Sequence, residues 1–201
     1  MATGRGKLEP DDYMIDFYPM DYESGDNDYD SSTLRYMKMG QVYDQSRRSD
    51  FELRVKKWLK QYIKKHLSGE AVVLAVAPGH EKYDNSSFMY DLVREFISDN
   101  RKLHIEDGCS LLVRYKTIEK QSQAGANRSE STHCQSIRIN IDIDEEDVEE
   151  EEDIIAQLNK DKVVIILDDV WTSGCTLRAC EDKVWTTGPK DVRLLAIGKT
   201  V

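Results

Sequence analysis

The sequence predicts an α/β protein in which a mainly parallel sheet carries helices on both faces. Residues 71–77 (AVVLAVA) and 163–167 (VVIIL) are uninterrupted apolar runs of strand length. A run without alternation suits a parallel strand covered on both sides. Segments of helical periodicity alternate with these runs, the order that builds βαβ units. The second run leads directly into Asp168, Asp169 and a short polar turn, and open parallel sheets place ligands at the carboxyl ends of their strands.

Taken in order, residues 1–48 are acidic, and from Glu9 onward no basic residue appears before Arg35. Such a stretch buries too little apolar surface to offset its ordering entropy, so it reads as a partly disordered N-terminal segment. Tyr13, Met14, Ile15 and Phe17 interrupt the acids. They leave two readings open: a tail lying along its own domain, or an acidic-hydrophobic docking segment for a protein partner. The remainder, 49–201, is long enough for one α/β domain and short for two.

Over residues 50–67, Phe51, Val55, Trp58, Leu59, Tyr62 and Ile63 recur three or four apart. The spacing predicts an amphipathic helix with Asp50 as N-cap and a solvated lysine face. The strand at 71–77 follows and ends in Pro78, Gly79 and His80, where Gly79 lets another group approach the backbone. A helix is expected over 86–99 and a strand over 111–113. Residues 116–131 form a long polar loop containing Lys116, Lys120 and Arg128, a length typical of lids or mobile segments.

Residues 136–143 alternate apolar and polar, as a half-wet strand does. The acidic block at 142–153 lacks the glycine turn of a calcium loop and reads as a solvated insertion. After the motif, a helix over 176–185 is stopped by Gly188 and Pro189, and 192–197 closes the sheet. The expected sheet is therefore built from strands near Val72, Leu112, Val164 and Leu194.

The turn after the acids carries the chemistry. Gly174 reaches backbone angles closed to other residues, while the hydroxyls of Thr172, Ser173 and Thr176 and the amides of a starting helix converge as donors. That set holds an anion, most simply a phosphate. Asp168 and Asp169 cannot share the same anion, so they call for hydroxyl donors or a cation. A phosphorylated sugar meets both demands. Acids that only shape a turn are the bland alternative. A nucleoside-triphosphatase strand is another, but Gly198, Lys199 and Thr200 lack the earlier glycine and following helix of a phosphate loop. Cys175, inside the turn, is either a small space-filling residue or a thiol activated by the helix start.

The formal net charge is −10, which opposes general binding to nucleic acid or an anionic membrane. No apolar run reaches membrane-spanning length, and the first twelve residues lack a signal-peptide core. Cys109, Cys134, Cys175 and Cys180 show no C-x-x-C spacing, so reduced thiols in a cytoplasmic protein are expected.

The run LDDVWTSGCTL resembles the ribose-5-phosphate loop of type I phosphoribosyltransferases. Upstream, VAPGH and LLVRYKTIEKQSQAGANRSE resemble the ComF or amidophosphoribosyltransferase-like branch, as do residues 34–43 with Lys38. The resemblance implies a type I phosphoribosyltransferase-like fold that binds phosphoribosyl pyrophosphate, and a magnesium-dependent transferase of unknown acceptor acting in nucleotide metabolism. It gives Asp168 and Asp169 the ribose hydroxyls and, through ribose or water, a magnesium ion. It gives Val170, Thr172, Ser173, Gly174, Cys175 and Thr176 the 5-phosphate, and Pro78, Gly79 and His80 the pyrophosphate. Lys116 and Arg128 would belong to a closing lid, and the acceptor hood to 34–43, to the lid or to the second subunit of a homodimer. The alternative is a non-catalytic sugar-phosphate sensor or scaffold acting through a protein partner. A DNA-uptake role, as proposed for some ComF-like proteins, requires nucleic-acid contacts that the charge discourages.

Overall fold

Five parallel strands form the centre of the computed structural model, which describes residues 9–17, 29–40, 44–81, 88–118, 134–141 and 151–200. In chain order the elements are β1 (Asp12–Phe17), α1 (Tyr29–Lys38), α2 (Gln45–His66), β2 (Val72–Val76), α3 (Phe88–Asp99), β3 (Ile105–Gly108), β4 (Leu112–Arg114), β5 (Ile137–Ile139), α4 (Glu151–Gln157), β6 (Val163–Trp171), α5 (Cys175–Trp185) and β7 (Asp191–Thr200). The sheet runs β1-β7-β6-β2-β3, and β4 pairs with β5 in a separate antiparallel hairpin.

The apolar runs do what their lack of alternation implies. In register, Val72 and Val73 of β2 pair with Val163 and Val164 of β6. Val72, Leu74 and Val76, with Val163, Ile165 and Leu167, face a core completed by α1, α2 and α3. Val73, Ala75, Val164 and Ile166 face the opposite core, closed by α5 and the β4–β5 hairpin. Leu59, Phe96, Ile165 and Ile166 are fully buried, and each such side chain contributes about 1.5–3 kcal/mol by leaving water. From β2 the chain goes through α3 to β3 on one side, whereas from β6 it goes through α5 to β7 on the other. The crevice between the ends of β2 and β6 is thus a topological switch point.

The α/β class and mainly parallel sheet match expectation, but three details differ. The strand at Leu112 is not in the main sheet; Ile105–Gly108 takes the position beside β2. β3 reads Ile-Glu-Asp-Gly because an edge strand tolerates charge on its wet side, which hides it from a search for apolar runs. The cap of α2 is Asp44, whose Oδ1 accepts the amides of Ser46 and Arg47 at 2.9 and 3.3 Å; Asp50 lies inside the helix.

The third difference concerns the acidic segment read over 1–48, because residues 12–17 and 29–38 are elements of the fold. Its acids find basic partners far along the chain. Arg54 pairs with Asp30 at 2.7 Å, Arg193 lies 3.6 Å from Asp11, and Lys199 pairs with Glu9. The acidic block over 142–150 and the polar loop over 119–131 lie outside the described residues. No helix among the described residues is long and apolar enough to cross a membrane.

Candidate functional site

β6 and β2 end side by side. Val76 pairs with Leu167, and the Ala77 amide donates to Leu167 O at 2.9 Å. The next residues on the two strands are therefore Pro78, Gly79 and His80 on one and Asp168 and Asp169 on the other, brought together across the switch point.

Successive strand residues face opposite sides, so the two acids diverge. Asp169 shares the side of Leu167 and Ile165, where α1 lies. There Lys38 Nζ donates to Asp169 Oδ1 at 2.9 Å. Asp168 shares the side of Ile166 and Val164, toward α5 and the hairpin, and its Oδ1 accepts the Asp169 amide at 2.8 Å. Burial, and then the charge of Asp169, push the Asp168 carboxyl up to about 7 against the opposing pull of Lys38, the Asp169 amide and Arg114. Burial tends to lower the Lys38 ammonium, but Asp169 and Asp168 outweigh it and hold it above its ordinary value. On the α5 side, burial first and Asp168 second raise the Cys180 thiol.

The turn follows immediately. Thr172 and Ser173 are exposed, and Cys175 and Thr176 half-buried at the opening of α5. Gly174 is the N-cap, at φ 75°, with no side-chain cap bond on the helix start. A Cβ there would run into the indole of Trp171. Trp171 itself is buried, so it forms the floor of the turn rather than an obstruction within it. Val170 is buried in the α1 to α3 core and paired in the ladder with Gly198, which leaves its backbone rather than its side chain near the turn.

Pro78 is buried, Gly79 exposed and His80 half-buried, with His80 Nε2 3.3 Å from Glu81 Oε1. Lys116 is exposed, its Nζ 5.2 Å from the Tyr115 ring centroid, and Arg128 lies outside the described residues. Among the described residues no group of three or more His, Cys, Asp or Glu side chains is arranged to hold a metal directly. The half-buried pair Asp168 and Asp169 still suits a cation, since one would offset the burial and the like charge that together raise Asp168, provided ligand or water oxygens complete its coordination.

Two side chains stand beside the acids and the loop without having been assigned there: Lys38, named only within the 34–43 resemblance, and Arg114. Lys38 occupies Asp169, and Arg114, 2% exposed, lies beneath the Pro78 to His80 loop. Burial lowers the Arg114 guanidinium, while Cys180, Asp168 and Tyr90 favour its charge. The available signal was an arginine closing the apolar run Leu111, Leu112, Val113, where a charge is buried only for a reason.

No protein-family model matches the chain, and no curated protein matches it. Among solved structures, it is similar to a phosphoribosylpyrophosphate synthetase from Mycobacterium smegmatis at 17% identity and a TM-score of 0.40, covering 72% of this chain and 33% of that one. It is also similar to a hypoxanthine phosphoribosyltransferase from Staphylococcus aureus in two crystal forms. The orthorhombic form gives 14% identity and a TM-score of 0.37, the tetragonal form 16% and 0.38, each covering 72% of this chain and 61% of that one. The chain thus spans about a third of the synthetase and about three fifths of the transferase.

Proposed function

We propose that this protein binds phosphoribosyl pyrophosphate or a closely related sugar phosphate and acts as a phosphoribosyltransferase on an acceptor yet to be identified. The observation that carries the reading is the adjacency of Asp168, Asp169 and the 172–176 turn on β6 to the Pro78, Gly79 and His80 loop on β2. It sets hydroxyl acceptors between two anion-binding stretches of backbone. The resemblance of LDDVWTSGCTL to a ribose-5-phosphate loop, and of the upstream segments to the ComF-like branch, supports the same ligand.

In this reading the amides and hydroxyls of Thr172, Ser173, Gly174, Cys175 and Thr176, with the Val170 backbone, fix the 5-phosphate. Asp168 and Asp169 accept from the ribose hydroxyls and place negative charge near the anomeric carbon as it becomes cationic. Amides of the Pro78 to His80 loop receive the departing pyrophosphate. Lys116 and Arg128 belong to the segment that closes over the ligand and excludes water. Magnesium, when bound, neutralises pyrophosphate charge, and Asp168 and Asp169 would hold it through ribose or water oxygens. Positioning and charge supply the rate, with no protein nucleophile.

The ion pair between Lys38 and Asp169 favours a second reading: a non-catalytic member that senses the sugar phosphate and works through a protein partner. Release of pyrophosphate from phosphoribosyl pyrophosphate with a panel of nucleobases or ammonia separates the two. Turnover with any acceptor supports the enzyme; tight binding without turnover supports the sensor. Absence of binding in the presence of magnesium defeats both.

A further inference from the structure

Arg114 closes β4 yet is 2% exposed, and a guanidinium taken out of water is tolerated only where its donors are satisfied. Its donors go chiefly to one loop. Nε donates to Gly79 O, Nη2 to Pro78 O at 3.4 Å, and Nη1 to Ser136 Oγ on the other side of the hairpin. The next carbonyl, His80 O, accepts the Ile118 amide at 3.0 Å. Three successive carbonyls are thus drawn toward the β4–β5 hairpin and the residues that follow β4.

That arrangement fixes where the amides point. None of the described peptide bonds is cis, and in a trans peptide the N–H points opposite to the C=O. The peptide joining Pro78 to Gly79 therefore turns the Gly79 amide away from Arg114, and the next peptide does the same for His80. Among the described residues neither amide has an acceptor. The space into which a Cβ of Gly79 would project is empty to 4 Å. Successive outward amides form an anion-binding concavity, here beside Asp168 and Asp169.

We propose that Arg114 is the positioning residue of the diphosphate subsite: its forked bonds to the Pro78 and Gly79 carbonyls hold the Gly79 and His80 amides toward a pyrophosphate group. The inference deepens the sugar-phosphate reading and rests on it. Ser136 steadies the guanidinium from β5's side, so the loop is braced by the hairpin from which the 116–131 segment departs.

The test is calorimetric titration of the full chain with magnesium pyrophosphate and, separately, with ribose 5-phosphate. Arg114→Gln is expected to weaken pyrophosphate about tenfold or more and leave ribose 5-phosphate within about twofold, since the 172–176 turn is untouched. Arg114→Lys keeps the charge but loses the fork, and is expected to resemble Arg114→Gln. Ser136→Ala is expected to weaken pyrophosphate about threefold. These last two variants carry the comparison if Arg114→Gln does not fold. Unchanged pyrophosphate affinity in the variants that fold, full retention in Arg114→Lys, or parallel loss of both ligands overturns the proposal. Wild-type protein that binds ribose 5-phosphate but not pyrophosphate overturns this inference alone. Wild-type protein that binds neither overturns the functional reading beneath it.

Discussion

Lys38 Nζ donates to Asp169 Oδ1 at 2.9 Å across 131 residues of sequence. The contact ties the last turn of α1, drawn from the acid-rich start of the chain, to the second acid of β6. Both partners retain contact with water, with side-chain exposures of 38% and 23%, so the pair contributes at most about 1 kcal/mol to stability. Its larger effect is electrostatic. Lys38→Met is expected to leave the midpoint of denaturation nearly unchanged and to move the Asp168 titration upward, read by carboxyl-carbon NMR. An unmoved Asp168 contradicts the coupling.

Asp168 makes stability depend on pH in an unusual direction. Its carboxyl rises from an ordinary 3.8 to about 7 in the folded protein, through burial first and Asp169 second. Between those values the folded state holds a proton that the unfolded chain releases. Its contribution is therefore fully present below pH 3.8 and lost as pH rises through about 7. Urea denaturation from about pH 4 to 8 should show a decline on the order of a few kcal/mol that Asp168→Asn largely removes. A slope that survives the substitution assigns it to another group.

Gly174→Ala confronts two obstacles at once: φ at 75° and the buried Trp171 ring in the path of the new Cβ. A cost of about 2–4 kcal/mol is expected, together with loss of ribose 5-phosphate binding as the turn opens. Thermal denaturation and calorimetry report the two effects separately. An alanine variant with wild-type affinity removes this turn from the site.

Asp11 clips the edge of the sheet. Its amide donates to Leu194 O at 2.8 Å, and its Oδ2 accepts the Leu194 amide at 2.7 Å. Asp11→Ala is expected to cost about 1–2 kcal/mol and to speed amide exchange of Tyr13 and Ile15 in β1, with ribose 5-phosphate affinity within about twofold of wild type. Slow exchange retained in β1 would show that β7 pairing alone holds the strand.

Much of this architecture is legible in the sequence because β2 and residues 163–167 of β6 are apolar throughout, and residues 163–176 carry strand, acids, glycine and helix start in one reading. The edges are not. β1 pairs with β7, and the acids just before it, Glu9 and Asp11, meet Lys199 and Arg193 near the other end of the chain; local composition cannot reveal such pairing. β3 hides its role in Glu106 and Asp107 for a different reason, since it lies at the edge of the sheet, where exposed charge is tolerated. Lys38 and Arg114 reach the site by tertiary approach alone. Arg114 differs in one respect, since a charge at the end of an apolar run is an anomaly that the sequence does display.

The most direct test of the sugar-phosphate reading is a crystal structure of the protein soaked with ribose 5-phosphate. The expected result is a phosphate against the amides of Cys175 and Thr176 with ribose hydroxyls on Asp168 and Asp169. A phosphate bound elsewhere, or an empty turn at saturating ligand, would contradict it.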